Sequence, residues 1–130
     1  RDMDHEEQAM TYFQAGRNCC QAVVGAYCQE IGLELDRVNE LASHYGGGNY
    51  QGLCGALAGT YMVANFLKGT PEMIDPAKCK NDAAGKFVVE MTQEFQQTCG
   101  SLYCTKLLGK RPCYEYVRTA VKLLEDNLNE

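Results

Sequence analysis

The run Leu53-Cys54-Gly55-Ala56-Leu57-Ala58-Gly59-Thr60-Tyr61-Met62-Val63-Ala64-Asn65-Phe66-Leu67-Lys68 decides the fold. It is apolar almost all round and meets its first charge at Lys68. Such a segment reads as a helix buried on most of its sides. From Leu53 to Leu67 it has 15 residues. A bilayer span needs about 20, so this is the central helix of a soluble core and no transmembrane segment is expected. Gly46, Gly47 and Gly48 break the chain before it, and Gly69, Thr70 and Pro71 end it.

Outward from this helix the pattern stays helical. Met3, Ala9, Met10 and Phe13 share a face that stops at Gly16. Asn18 is a good N-cap for a second helix, whose inward residues are Cys19, Cys20, Val23, Val24, Ala26, Tyr27 and Ile31. Gly32 ends it, and Asp36 caps a short helix carrying Val38, Leu41, Ala42 and Tyr45. Downstream, Asp75-Pro76 opens a long helix with Cys79, Ala83, Phe87, Met91, Phe95 and Cys99 at steps of four. Gly100 and Ser101 end it and cap a short helix holding Leu102, Leu107 and Leu108. Pro112 opens the last helix, with Cys113, Val117, Ala120, Val121, Leu124 and Leu128 inward. No segment alternates with period two, so no strand is expected. The expectation is one all-α domain over residues 1–130, a bundle of about five to seven helices around a central Gly/Ala-rich helix.

Composition narrows the function. The 130 residues include 12 basic and 17 acidic side chains, a net charge of −5. An acidic chain argues against a nucleic-acid or anionic-membrane partner. No signal-peptide core is visible, and a cytoplasmic location is the expectation. The chain begins at Arg1, which removal of an initiator Met does not ordinarily leave. A segment upstream is therefore expected, and export stays open.

Cysteine is the outlier, with eight in the chain. Disulfide-stapled secreted domains usually exceed about 8–10% Cys and are loop-rich. Long helices that build their own core need no staples, so the thiols need another reason. Cys19, Cys54, Cys104 and Cys113 each fall in the first turn of an expected helix. There the unpaired N–H groups and the helix dipole favour a thiolate. A lowered pKa makes a thiol nucleophilic or metal-binding. Cys28 and Cys99 lie near helix C-termini, where a thiolate is disfavoured. Cys79 sits at a core step, and Cys20 points about 100° from Cys19. Cys28, Cys79 and Cys99 read first as small hydrophobes, and Cys20 reads equally as that or as a second functional thiol beside Cys19. Lys106, Lys110 and Arg111 lie near Cys104 and Cys113 and read first as solvated surface.

No C-x-x-C or C-x-x-C-H is present, so zinc ribbons, thioredoxin-type motifs and covalent haem attachment have no signature here. The triple-glycine loop lacks the Lys-Ser/Thr of a phosphate loop. His5 and His44 support no Ser/His/Asp arrangement. Gly52, Gly55, Ala56 and Gly59 recur at i, i+3, i+4 and i+7, a flat stripe beside Cys54. Glycine in a helix costs about 1 kcal/mol relative to alanine, so the stripe implies close approach by a second helix or, at Gly55 and Gly59, by a cofactor.

The run Cys54-Gly55-Ala56-Leu57-Ala58-Gly59, preceded by a glycine loop, stands between Cys19 and the pair Cys104 and Cys113. Gly16-Arg17-Asn18 leads into Cys19, Lys106-Leu107-Leu108-Gly109 follows Cys104, and Tyr116-Val117 follows Cys113. This pattern resembles the redox-active protein family C_GCAxxG_C_C over nearly the whole chain, from about Ala9 to Leu124. The resemblance implies bacterial or archaeal origin and a redox role for Cys19, Cys54, Cys104 and Cys113. The chain departs from the bare pattern by adding Cys20, Cys28, Cys79 and Cys99, and Cys99, five residues before Cys104, could act as a resolving thiol.

Two chemistries remain open for those four cysteines. They could ligate an iron–sulfur cluster or another thiolate-bound metal. They could instead perform thiol–disulfide exchange with a redox partner protein or a small oxidant. Either makes the protein an oxidoreductase or an electron-transfer protein. A different class is a non-catalytic helical binding module whose groove takes a partner and whose cysteines are structural.

Overall fold

The computed structural model describes residues 4–68 and 83–128. Met3, the Gly69–Pro71 stop, the Asp75-Pro76 start and Cys79 lie outside the described residues. The elements are α1 (His5–Gln14), α2 (Cys19–Ala26), α3 (Cys28–Ile31), α4 (Leu35–Ala42), a 3-10 turn (Ser43–Tyr45), α5 (Gly55–Lys68), α6 (Ala83–Cys99), α7 (Cys104–Leu107) and α8 (Cys113–Leu128). The chain is the all-α bundle that the hydrophobic pattern predicts, with α3 and α7 as single turns. Two isolated bridges, Leu53 with Tyr103 and Leu108 with Arg111, are the β-pairings among the described residues. No helix of the described residues is long and apolar enough to cross a membrane.

The central helix is α5. Every residue from Gly55 to Asn65 is buried, and α5 packs on α2, α6 and α8. Leu57, Tyr61 and Val63 fill the middle against Val23, Val88, Phe95 and Tyr116. The helix begins at Gly55, two residues later than its apolar run, because Leu53 is held in the bridge to Tyr103.

Caps explain the starts of α1 and α2. Asp4 accepts from the Glu7 N–H at 2.7 Å. Asn18 and Gln21 form a reciprocal capping box, with bonds of 2.7 and 2.9 Å. That box fixes Cys19 and Cys20 as the first two residues of α2. Gln21 also donates to the Asn39 carbonyl at 3.0 Å, which ties α2 to α4. Two expected caps differ. Glu34 precedes α4, and Asp36 lies inside its first turn. Ser101 accepts from the Tyr103 N–H at 3.2 Å, in a local turn, and α7 begins after Tyr103.

The buried face of α6 is Ala84, Val88, Met91 and Phe95, with Phe87 and Cys99 half-buried. Steps of four advance 40° per step on a helix of 3.6 residues per turn, so a strict four-step row drifts off the core. The mixed step of three and four keeps the face.

A clasp that the sequence did not reveal closes the other end. The His5 ring stacks on Tyr27 at 3.9 Å and 8°. Its two nitrogens meet the carboxylates of Glu30 and Glu125. The Tyr27 hydroxyl also donates to Glu125 at 3.3 Å. The cluster joins α1 to α3 and α8.

Candidate functional site

Four devices, some local and some between distant segments, bring helix starts together. The capping box places Cys19 at the start of α2. The Leu53–Tyr103 bridge aligns two others: the Cys54 N–H donates to the Leu102 carbonyl at 2.8 Å, and the Cys104 N–H donates to the Gly52 carbonyl at 2.9 Å. Cys54 and Cys104 therefore flank one short antiparallel pairing. Pro112 stands immediately before Cys113, the first residue of α8. Tyr116 on α8 donates to the Leu107 carbonyl at 2.8 Å and holds α7 against α8.

Small residues let these starts converge. A Cβ on Gly55 would lie 3.3 Å from the Cβ of Cys19 and 3.0 Å from the Cα of Gly46. One on Gly59 would lie 2.8 Å from the Cβ of Val23. The close approach is made by α2 at Gly59, and by the Gly46 backbone together with the start of α2 at Gly55. The glycine loop closes over Cys104. A Cβ on Gly48 would lie 3.2 Å from the Cβ of Cys104, and Gly48 holds φ +85°, a left-handed conformation that suits glycine.

The four thiols meet. Cys19 lies within electrostatic reach of Cys54, Cys113 and Cys104. Cys54 in turn feels Cys104 and Cys99. Cys19, Cys104 and Cys113 are half-buried and Cys54 is buried. The seven cysteines of the described residues are free thiols. Cys20 lies in the core behind the cluster, within electrostatic reach of Cys19 and Cys54, its sulfur 3.7 Å from that of Met62. Cys28 lies near Tyr12 and Glu30, away from the cluster.

The ionisation expected at helix starts is reversed at two of them. Burial pushes the Cys19 thiol up to about 12, and neighbouring Cys54 and Cys113 add to the shift. Burial also pushes Cys54 up to about 11. Here the helix-terminus effect is present but smaller. Cys54 is the residue before α5, and its sulfur accepts from the Ala56 and Leu57 N–H groups, which lower its pKa. Removing the sulfur from water outweighs those two bonds. Cys20 is likewise raised, chiefly by burial.

Sulfur donors suit an iron–sulfur cluster or a soft metal. Among the described residues, however, no three His, Cys, Asp or Glu side chains are placed to hold one metal ion.

One further thiol joins the site. Cys99, the last residue of α6, faces α8, where it feels Arg111 and Glu115 and accepts a hydrogen bond from Thr119. Its signal in the sequence was its spacing before Cys104. The Leu53–Tyr103 bridge had no signal, because a single pair of residues shows no alternation.

Neither curated proteins nor solved structures give a match to this chain. A family model does, over residues 17–127, and that span takes in Cys19, Cys54, Cys104 and Cys113. With its cysteines at these helix starts, the chain belongs to the family described as "Putative redox-active protein (C_GCAxxG_C_C)".

Proposed function

We propose that Cys19, Cys54, Cys104 and Cys113 form a two-electron redox centre that works by reversible thiol–disulfide exchange, with Cys19 and Cys113 as its central pair. The supporting observation is that the Cys19 thiol has Cys113, Cys54 and Cys104 as its electrostatic neighbours, although the four lie on distant segments of the chain. In the oxidising direction two S–H bonds break and one S–S bond forms. The two electrons and two protons pass to a disulfide on a redox partner protein or a small oxidant, which leaves as two thiols. In the reducing direction the same exchange runs backwards. Burial of Cys19 and Cys54 keeps the resting thiols protonated and suppresses adventitious oxidation, which follows thiolate character and exposure.

Disulfide mapping tests this reading. Native protein oxidised stoichiometrically with diamide, blocked and digested without reduction is expected to yield a peptide joining Cys19 to Cys113. Cys19→Ser and Cys113→Ser should each abolish it. Oxidised protein in which both residues remain free thiols would sink the assignment.

A further inference from the structure

The dithiol centre leaves a basic mouth beside Cys99 unexplained. A surface pocket of about 610 Å³ opens between the end of α6 and α7. Its lining includes Cys99, Tyr103, Lys106, Lys110 and Arg111, and none of its lining residues is acidic. The chain as a whole has a net charge of −5. An anion is thus repelled by the molecule at large and attracted at this opening. Arg111 is held in place, donating to the Thr98 carbonyl at 3.3 Å at the end of α6. There its charge favours Cys99 ionisation, as does the hydrogen bond from Thr119, while burial and Glu115 oppose it and win. Lys106 and Lys110 are exposed. Neither makes an ion pair with a described residue. On the inner side, Cys99 lies within electrostatic reach of Cys54.

We propose that this pocket docks a small disulfide bearing carboxylates and presents its sulfur to Cys99, an inference that rests on the thiol–disulfide reading of the centre. Lys106, Lys110 and Arg111 take the carboxylates, and Tyr103 offers an apolar wall. The Cys99 thiol loses its proton to water and attacks the nearer substrate sulfur. The substrate S–S bond breaks, and the far half leaves as a thiolate with the bonding pair. Cys54 then attacks the Cys99 sulfur, the second half leaves as a thiol, and a Cys54–Cys99 disulfide remains. Two cysteine thiols are oxidised and one substrate disulfide is reduced. Exchange of Cys19 with Cys54, then of Cys113 with Cys19, moves the disulfide to the central pair.

The test compares native-thiol reaction rates with three disulfides: the dicarboxylate dithiobis-nitrobenzoate, neutral bis-hydroxyethyl disulfide and cationic cystamine. Each rate is divided by that of free mercaptoethanol. The dicarboxylate should be favoured over cystamine by roughly tenfold or more at low salt, and the preference should fade as salt rises. The double variant Lys106→Glu/Lys110→Glu should reverse the order, and Cys99→Ser should remove it. Equal normalised rates for the three disulfides, or a preference that survives the charge reversal, would overturn the pocket while leaving the dithiol centre standing. If no native thiol reacts with any of them, the centre and the pocket both fall.

Discussion

Cys54 shows how one residue can obey a local rule and be overruled. It occupies the position before α5, where Ser, Thr, Asp or Asn usually accept from the first free N–H groups. Its sulfur does accept from Ala56 and Leu57. In water those bonds would make it a low-pKa thiol. Buried among apolar residues, it is pushed up to about 11, and Cys19 to about 12. At neutral pH both are therefore neutral thiols. Alkylation by iodoacetamide, read peptide by peptide in native protein, should stay slow at Cys54 through pH 8. It should climb only as pH approaches about 11. Unfolded protein should level off near the ordinary thiol value of about 8.5. A native profile matching the unfolded one would mean that the sulfur is in water. The same shift bears on stability. The folded pKa lies above the unfolded one, so its contribution is whole below the unfolded pKa. It is lost as pH rises towards the folded value.

At the scale of elements, the contact between α2 and α5 is the joint on which the site rests. A methyl group on Gly59 would sit 2.8 Å from the Cβ of Val23 and 3.4 Å from the Cys20 carbonyl oxygen. Neither is the free end of a flexible chain, so the helices must separate. Gly59→Ala should cost about 1–3 kcal/mol as overpacking, against about 0.5–1 kcal/mol that alanine returns in helix propensity. The expected result is a melting temperature several degrees lower, with slower formation of the Cys19–Cys113 disulfide because α2 carries Cys19. An unchanged or higher melting temperature would show that the two helices have room. The stripe was legible in the sequence because small residues at i, i+3, i+4 and i+7 share a face whatever packs there. What packs there was not legible, since another helix and a cofactor ask for the same small residues. In the folded chain α2 packs there at Gly59, and the Gly46 backbone joins it at Gly55.

Across the whole molecule, the His5 clasp and the thiol cluster share α8, which carries Cys113 at its start and Glu125 in its last turns. His5 bridges Glu30 and Glu125 and stacks on Tyr27, so it fastens α1 to α3 and α8. Both carboxylates are about one-third exposed, which discounts the charge contribution. His5→Ala should cost about 1–2 kcal/mol, from the stacked ring and the lost hydrogen bonds. Hydrogen exchange in α1 should rise while the reaction of Cys113 with disulfides stays the same. Equal exchange in the variant would show that α1 is held by its apolar face alone. His5 looked idle in the sequence because its partners are 25 and 120 residues away.

The sequence by itself determined the elements. Turns, caps and apolar spacing act within a few residues, so the all-α bundle, the buried central helix and the helix starts at Cys19, Cys54, Cys104 and Cys113 could be read directly. The family pattern around those cysteines was equally local in its motifs. Tertiary structure alone decided what is non-local. It decided that the four starts meet, through a one-residue bridge and glycine contacts between distant segments. It raised Cys19 and Cys54, because desolvation depends on how much of the folded chain shields a sulfur from water. It turned Lys106, Lys110 and Arg111 from scattered surface charges into one basic opening beside Cys99, because a field depends on distance in space.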